Sequence, residues 1–147
     1  MLRNLKCDLS IGTQRLAMWT SILAIGLGAA VGANLRWALG LLLNPVFAGL
    51  PSGTLAANWL GCYLIGIALP ALNALVVTTP EIRLFIVTGF LGALTTFSSF
   101  SADMIEIMQE GRFGWFAGAI VLHVMGSLAF TLLGMGTVHL IQNWGRF

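Results

Sequence analysis

Hydroxyl and phenyl side chains crowd one short stretch of this chain, residues 88–101, which reads TGFLGALTTFSSFS. Phe97 and Phe100 are three residues apart, so on a helix both rings leave the same face. A phenyl ring has a positive edge, and hydroxyl groups such as that of Ser101 are hydrogen-bond donors. Together they suit a small desolvated anion, whereas a cation would prefer carbonyl and carboxylate oxygens. The alternative for two phenylalanines at this spacing is core packing.

Polar side chains also recur at helical spacing elsewhere. Thr54 and Asn58 are four residues apart, and His123, Ser127 and Thr131 repeat every four residues. Each set therefore forms one stripe on one helical face. Taken singly, such side chains are typical of interhelical hydrogen bonds, worth about 0.6 kcal/mol each in membranes. Beside the hydroxyl-rich stretch, the two stripes predict the wall of a pore.

The composition is that of an integral membrane protein. Of the 147 residues, 58% are hydrophobic and 8% are charged, whereas soluble domains are about 25% charged. The mean hydropathy is +0.92. The net charge of +2 is too small and too scattered to indicate nucleic-acid binding. Cys7 and Cys62 lack metal-ligand spacing and fall at different predicted depths, which argues against a disulfide or a metal site.

Four segments are apolar over the roughly 20 residues that a membrane-spanning helix needs. They are Leu16–Leu43, Ser52–Val77, Ile82–Gln109 and Trp115–Ile141. The predicted fold class is therefore all-α and integral to the membrane, with both termini on one side. We expect residues 1–15 to form an extramembrane tail and residues 16–147 the channel domain, although a cleaved signal peptide is an alternative for the first span. Thr79 before Pro80 predicts a helix start, and Gly111 a helix end.

The third segment is too long for one straight span. Its residues at about 1.5 Å each would make a helix of roughly 42 Å, against a hydrocarbon core of about 30 Å. A break near Gly92–Thr95, giving two half-helices, would resolve the excess, because glycine and threonine concentrate there. The alternative is a tilted helix whose acidic end, with Asp103 and Glu110, stands in the interface.

Small residues mark one face of the first span. Gly28 and Gly32, with alanines between them, predict a close approach by another helix. Arg36 follows them. It is either a snorkelling marker of the helix end or a cation that draws anions into a vestibule.

Two other classes of function are weakened by the same residues. A proton-coupled small-molecule exporter would need a carboxylate inside the membrane, yet the first two spans have none and the third has its acidic residues at one end, from Asp103 onward. An intramembrane hydrolase using Ser127 and His123 would lack an evident oxyanion hole and a third, orienting group. We therefore do not expect an enzyme.

The sequence resembles the small bacterial fluoride channels of the Fluc or CrcB family. The resemblance covers roughly residues 20–140 and is carried by GAAVGANLR from Gly28, GTLAANWLG from Gly53, TGFLGALTTFSSFSAD from Thr88, EGRFG from Glu110, and Gly126-Ser127. His123, Asp103 and Ala93 depart from the residues that are common in similar proteins. These departures concern details of the pathway and not the family.

The resemblance implies a fluoride pathway and a metal site. Phe97 and Phe100 would contact fluoride through their ring edges, Asn58 would be an amide donor, and Ser127 would belong to a polar track on the fourth helix. The family's members are dimers, and a structural sodium ion would lie at the dimer centre, held by the backbone carbonyls of Gly92 and Thr95 from both chains.

The resemblance also implies an assembly, an antiparallel homodimer with two pores and with both third helices broken where they cross. We expect a multi-pass protein of the bacterial cytoplasmic (inner) membrane, in contact with lipid, that lets fluoride leave the cell passively and reduces its toxicity. Outside residues 1–15, two arginines lie on each side of the membrane, so the positive-inside rule favours neither orientation of the chain. The tail adds Arg3, Lys6 and Arg15 to the side of the termini, and so opposes dual insertion.

Overall fold

The structure is a computed structural model that describes residues 2–46, 49–74 and 79–144, with side chains described from residue 14 onward. Every regular element in these residues is helical. The elements are α1 (Leu2–Leu43), a 3-10 turn (Asn44–Val46), α2 (Ser52–Ala74), α3 (Pro80–Arg83), a π-helix (Leu84–Leu91), α4 (Gly92–Leu94), α5 (Phe97–Gln109) and α6 (Phe113–Trp144).

Four stretches are long and apolar enough to cross a membrane, which confirms the predicted spans. They are Gln14–Val46, Ser52–Ala74, Pro80–Gln109 and Phe113–Trp144. The protein is therefore a multi-pass membrane protein. The predicted end of the second span at Val77 lies outside the described residues. The backbone of α1 is helical from Leu2, and the extramembrane position of residues 1–15 stays a prediction.

The predicted helix boundaries are confirmed at two connections. Thr79 is the N-cap residue of α3, with extended backbone at φ −71° and ψ 149°, and Pro80 follows at the first turn. The Thr79 hydroxyl makes no capping hydrogen bond, so the helix start is marked by the extended backbone of Thr79 and by the proline that follows it. Gly111 has φ 74°, in the left-handed region that glycine adopts without steric cost, and it ends α5.

Glycine lets α1 touch the backbone of the third span. A Cβ atom added to Gly32 would overlap the carbonyl oxygen of Phe90, and one added to Gly28 would lie 2.8 Å from the Phe90 nitrogen. Real Cβ atoms do not come this close, so only glycine permits this separation of the two helices. The small-residue face predicted for the first span is therefore confirmed.

The third span changes its hydrogen-bonding pattern along its length. Its first part begins as α3, continues through the eight-residue π-helix and ends with one short turn, α4; α5 forms the rest of the span. A π-helix is rare and is frequently found at functional sites. The last residue of α4, Leu94, is completely buried in a cluster with Ala57 and Leu91. This cluster fixes the end of α4 against α2, directly before the residues that follow.

Candidate functional site

Two extended residues separate α4 from α5. Thr95 has φ −79° and ψ 152°, and Thr96 has φ −150° and ψ 118°. Thr96 is the N-cap residue of α5, and its Oγ1 accepts a hydrogen bond of 3.1 Å from the Ser99 backbone N–H. Threonine is one of the preferred N-cap residues because its hydroxyl satisfies a backbone donor that the first helical turn leaves free.

An amide side chain from α2 holds this junction. Asn58 Oδ1 accepts a hydrogen bond of 2.8 Å from the Thr96 N–H, and Asn58 Nδ2 donates one of 3.2 Å to the Thr96 carbonyl. Both backbone groups of one extended residue are thus satisfied by one side chain. Unsatisfied buried backbone groups would otherwise cost about 1–3 kcal/mol each.

The bonds made by Asn58 and by the Thr96 hydroxyl leave two carbonyl groups without their usual helical donors. In a continuous α-helix the Gly92 carbonyl would accept from the Thr96 N–H, but that N–H is bound to Asn58. The Thr95 carbonyl would accept from the Ser99 N–H, which is bound to the Thr96 hydroxyl instead. Carbonyl oxygens are ligands for hard cations. The described residues contain no group of three or more His, Cys, Asp or Glu side chains placed to hold a metal.

One cavity gathers most of the predicted pathway residues. It has a volume of about 380 Å³ and opens between α2, α6 and the start of α5. It is lined by Asn58, Cys62, Thr95, Thr96, Phe97, Phe100, His123, Val124, Ser127, Leu128 and Thr131. None of these lining residues carries a carboxylate, an ammonium or a guanidinium group, so the wall offers hydroxyl, amide, imidazole and ring-edge groups. Such a wall suits an anion better than a cation.

The aromatic rings of the cavity stand at different depths. Phe97 and Phe100 have ring centroids 5.5 Å apart with planes tilted by 55°, and the imidazole of His123 lies 4.6 Å from Phe100. Phe100 is 8% exposed and packs in the α5–α6 core, whereas Phe97 is 78% exposed on the surface of the single chain. The cavity is therefore an open groove, with Phe97 at its edge.

The hydroxyl groups predicted to line the pathway differ in what they contact. Thr131 donates to the Ser127 carbonyl at 3.0 Å, and Ser101 donates to the Phe97 carbonyl at 2.8 Å. Ser101 lines a separate, apolar cavity of about 380 Å³ that Phe97 and Phe100 share. The side-chain hydroxyl of Ser127 makes no hydrogen bond within the described part of the chain and lines the first cavity. Ser127 is thus available to a ligand, whereas Ser101 is engaged.

Thr54 lies apart from the rest of its stripe. It lines a second cavity of about 610 Å³ together with Arg36, Thr96 and Ser99. Thr96 lines both cavities. The stripe on α2 therefore divides around Thr96, with Asn58 in the first cavity and Thr54 in the second.

Arg36 belongs to the second cavity and contacts the junction. It lies within α1 and not beyond its end, and its Nε donates a hydrogen bond of 3.1 Å to the Ala93 carbonyl. Its Nη1 lies 3.5 Å from the Ser99 hydroxyl. The guanidinium and the N-terminus of α5 both favour negative charge nearby. The role of Arg36 in a vestibule stays a prediction.

Two features of the site were not predicted from the sequence: one hydrogen-bonded pairing and one lining residue. The pairing of Asn58 with the Thr96 main chain depends on the extended backbone, and no spacing rule predicts it. Cys62 lines the first cavity, and its position one turn after Asn58 could have revealed this.

Comparison with known proteins finds relatives along most of the chain. Residues 23–135 match the family described as CrcB-like protein, Camphor Resistance (CrcB). A protein of Chromohalobacter salexigens named Fluoride-specific ion channel FluC is 57% identical over 128 residues, 87% of this chain and 97% of that protein. Proteins of the same name from Pseudomonas aeruginosa and Desulfovibrio desulfuricans are 55% and 54% identical. They match 86% and 88% of this chain, and 97% and 100% of their own lengths.

Proposed function

This chain belongs to the CrcB family, and we propose that it is a fluoride-specific ion channel that lets fluoride leave the cell passively across the bacterial cytoplasmic membrane. Its relatives named as such channels are 50–57% identical over most of the chain. The observation that carries the proposal is the first cavity, where ring edges, hydroxyls, one amide and one imidazole meet without a carboxylate. A wall of this kind replaces part of the water shell of a small anion and repels none of its charge.

The path begins in the second cavity, where Arg36 and the N-terminus of α5 attract the anion. It passes the Thr96 junction, which both cavities share, and continues past the rings of Phe97 and Phe100. The hydroxyl of Ser127 offers a donor there. Donors spread over several sites bind the ion strongly enough for entry and weakly enough for release, as conduction requires.

The functional unit of this proposal is an antiparallel homodimer of dual topology. The exposure of Phe97 supports it, because a pathway residue on the surface of a single chain needs a second chain to enclose it. The exposed position of Gly92 beside it also leaves room for close approach by a partner. A two-fold axis in the membrane plane would bring together the two junctions, the points at which both third spans would be broken mid-membrane.

A structural sodium ion at the dimer centre is part of the same proposal. The carbonyls of Gly92 and Thr95 fit such an ion, because the N–H groups that would ordinarily bind them are engaged by Asn58 and by the Thr96 hydroxyl. When bound, the cation would hold together carbonyl dipoles that otherwise repel each other. In membrane transporters, the carbonyl groups of unwound backbone at half-helix ends coordinate sodium ions in this way.

Fluoride efflux from liposomes holding the purified protein tests the function. Vesicles loaded with fluoride should release it when an ionophore dissipates the membrane potential, and vesicles loaded with chloride should not. The flux should be unchanged when a proton gradient of either sign is imposed. A flux that required the proton gradient would favour the alternative, a proton-coupled small-molecule exporter, and the absence of fluoride flux would refute the channel.

A further inference from the structure

The imidazole of His123 is the most deeply buried polar side chain among the described residues. It is 4% exposed and lines the first cavity beside Phe100. Its Nδ1 lies 3.3 Å from Asn58 Nδ2. Its Nε2 is shielded from solvent and has no hydrogen-bond partner in the part of the chain that the structure describes. A buried nitrogen without a partner requires an explanation.

The hydrogen bonds of Asn58 decide which nitrogen of this ring carries the proton. Thr96 N–H is a donor only, so the Asn58 atom that faces it at 2.8 Å must be the amide oxygen. The amide nitrogen then faces the Thr96 carbonyl and His123 Nδ1. Its two hydrogens supply one bond to each. His123 Nδ1 is therefore an acceptor and carries no proton.

A neutral imidazole with a bare Nδ1 carries its proton on Nε2. We infer, on the basis of the proposed function, that Asn58 is a positioning residue that holds His123 in the Nε2-protonated tautomer, and that this buried Nε2–H donates a hydrogen bond to the permeating fluoride ion. The donor to the anion at this level of the pathway is then His123 and not the Asn58 amide, whose hydrogens are both engaged.

The chemistry of the surroundings fits a small, hard anion as the missing partner. An N–H donor without an acceptor costs about 1–3 kcal/mol when it is buried, and the residues that line the cavity supply no acceptor to Nε2. The positive edge of the neighbouring Phe100 ring adds to the attraction. Because the imidazole is neutral, it does not trap the anion as a full positive charge would.

Nitrogen-15 NMR of labelled histidine measures the tautomer directly, since protonated and bare ring nitrogens have well-separated shifts. The exposed His139 is first replaced (His139→Gln), which leaves His123 as the observed histidine of the chain. At about neutral pH we expect a protonated Nε2 and a bare Nδ1. In Asn58→Asp a carboxylate faces Nδ1, so the proton should move to Nδ1; in Asn58→Ala both tautomers should appear. Thr137→Val, on the same helix outside the cavity, should leave the signals unchanged.

Fluoride efflux tests the donor separately. His123→Phe keeps a ring against Phe100 but has no N–H, and flux should fall about tenfold or more, as expected for one hydrogen bond to an anion. His123→Gln, whose amide nitrogen extends to the position of Nε2, should recover most of that loss. His123→Asn, whose amide reaches only the position of Nδ1, should not. Thr137→Val should conduct like the wild type.

Several results would overturn the inference. An Nε2–H signature that survives Asn58→Asp and Asn58→Ala would show that Asn58 does not set the tautomer. Wild-type flux in His123→Phe, or equal flux in His123→Gln and His123→Asn, would remove Nε2 from the pathway. The tautomer is measured without fluoride, so a wild-type protein that fails to conduct fluoride would refute the proposed function while leaving the Asn58 result readable.

Discussion

The side-chain amide of Asn58 pairs with both main-chain groups of Thr96, with an N···Oδ1 distance of 2.8 Å and an Nδ2···O distance of 3.2 Å. A residue of α2 thereby substitutes for the helical hydrogen bonds that the third span gives up at this point. The junction between α4 and α5 is consequently a fixed feature of the fold, held from outside its own span.

Asn58→Ala should destabilise the protein by about 1–3 kcal/mol, because it leaves the N–H and the carbonyl of Thr96 without partners. The midpoint of unfolding in a detergent titration measures this. Asn34→Ala is the matched control, since Asn34 donates only to the Ala30 carbonyl within its own helix, on an exposed face. Equal losses in the two variants would show that the junction does not depend on Asn58.

Phe97→Ile should lower fluoride flux strongly and leave folding unchanged. Isoleucine stays apolar but lacks the positive ring edge, and a side chain that is 78% exposed in the single chain contributes little to its packing. Phe113→Ile is the control, because Phe113 is also exposed, at 66%, and lies outside the cavities. Liposome efflux compares the two. Normal flux in Phe97→Ile would refute the ring-edge account of this residue.

Phe100→Ile should lower both flux and stability. Phe100 packs in a core cluster with Met104, Ile107 and Ala119, so the smaller side chain leaves a void worth about 1–2 kcal/mol. Flux per folded protein separates the two effects, with the folded fraction taken from size-exclusion chromatography. A variant that is less stable but conducts normally would limit Phe100 to packing.

Gly32→Val should prevent close packing of α1 on the third span. The new side chain would overlap the Phe90 carbonyl and lie against the Leu94 nitrogen, and overpacking of this kind costs about 1–3 kcal/mol or more. Gly26→Val is the matched control on the same helix, since a Cβ at Gly26 meets nothing within 4 Å. Yield of folded protein and unfolding midpoint should fall in the first variant only. Similar behaviour of both would mean that helix propensity, and not contact, is responsible.

Both orientations of the chain should be present in the membrane. A cysteine added after Arg146, in a background without Cys7 and Cys62, should react with an impermeant thiol reagent in intact cells for about half of the molecules and in lysed cells for all. We expect both orientations because the arginines outside residues 1–15 are equally divided between the two sides of the membrane. Labelling from one side alone would contradict dual topology and would show that the basic residues of the tail set the orientation.

Local patterns determined the elements of this protein. The apolar lengths predicted four spans, and Thr79-Pro80 and Gly111 marked helix boundaries, because these depend on hydrophobicity and on backbone preferences that each residue carries with it. The glycines of α1 predicted a close helix contact for the same reason. The family was readable from the TTFSSFS stretch and its companions, since motif residues and their order are properties of the sequence itself.

Contacts between spans decided the rest. Helical spacing put Thr54 and Asn58 on one face, but only the position of Thr96 between them separates their cavities. The π-helix had no sequence signature, because its hydrogen bonds depend on how the third span packs on α1. The tautomer of His123 follows from a chain of contacts through Asn58 to Thr96, residues far apart in sequence. Donor and acceptor assignments of this kind arise when side chains meet, so the tertiary structure alone decides them.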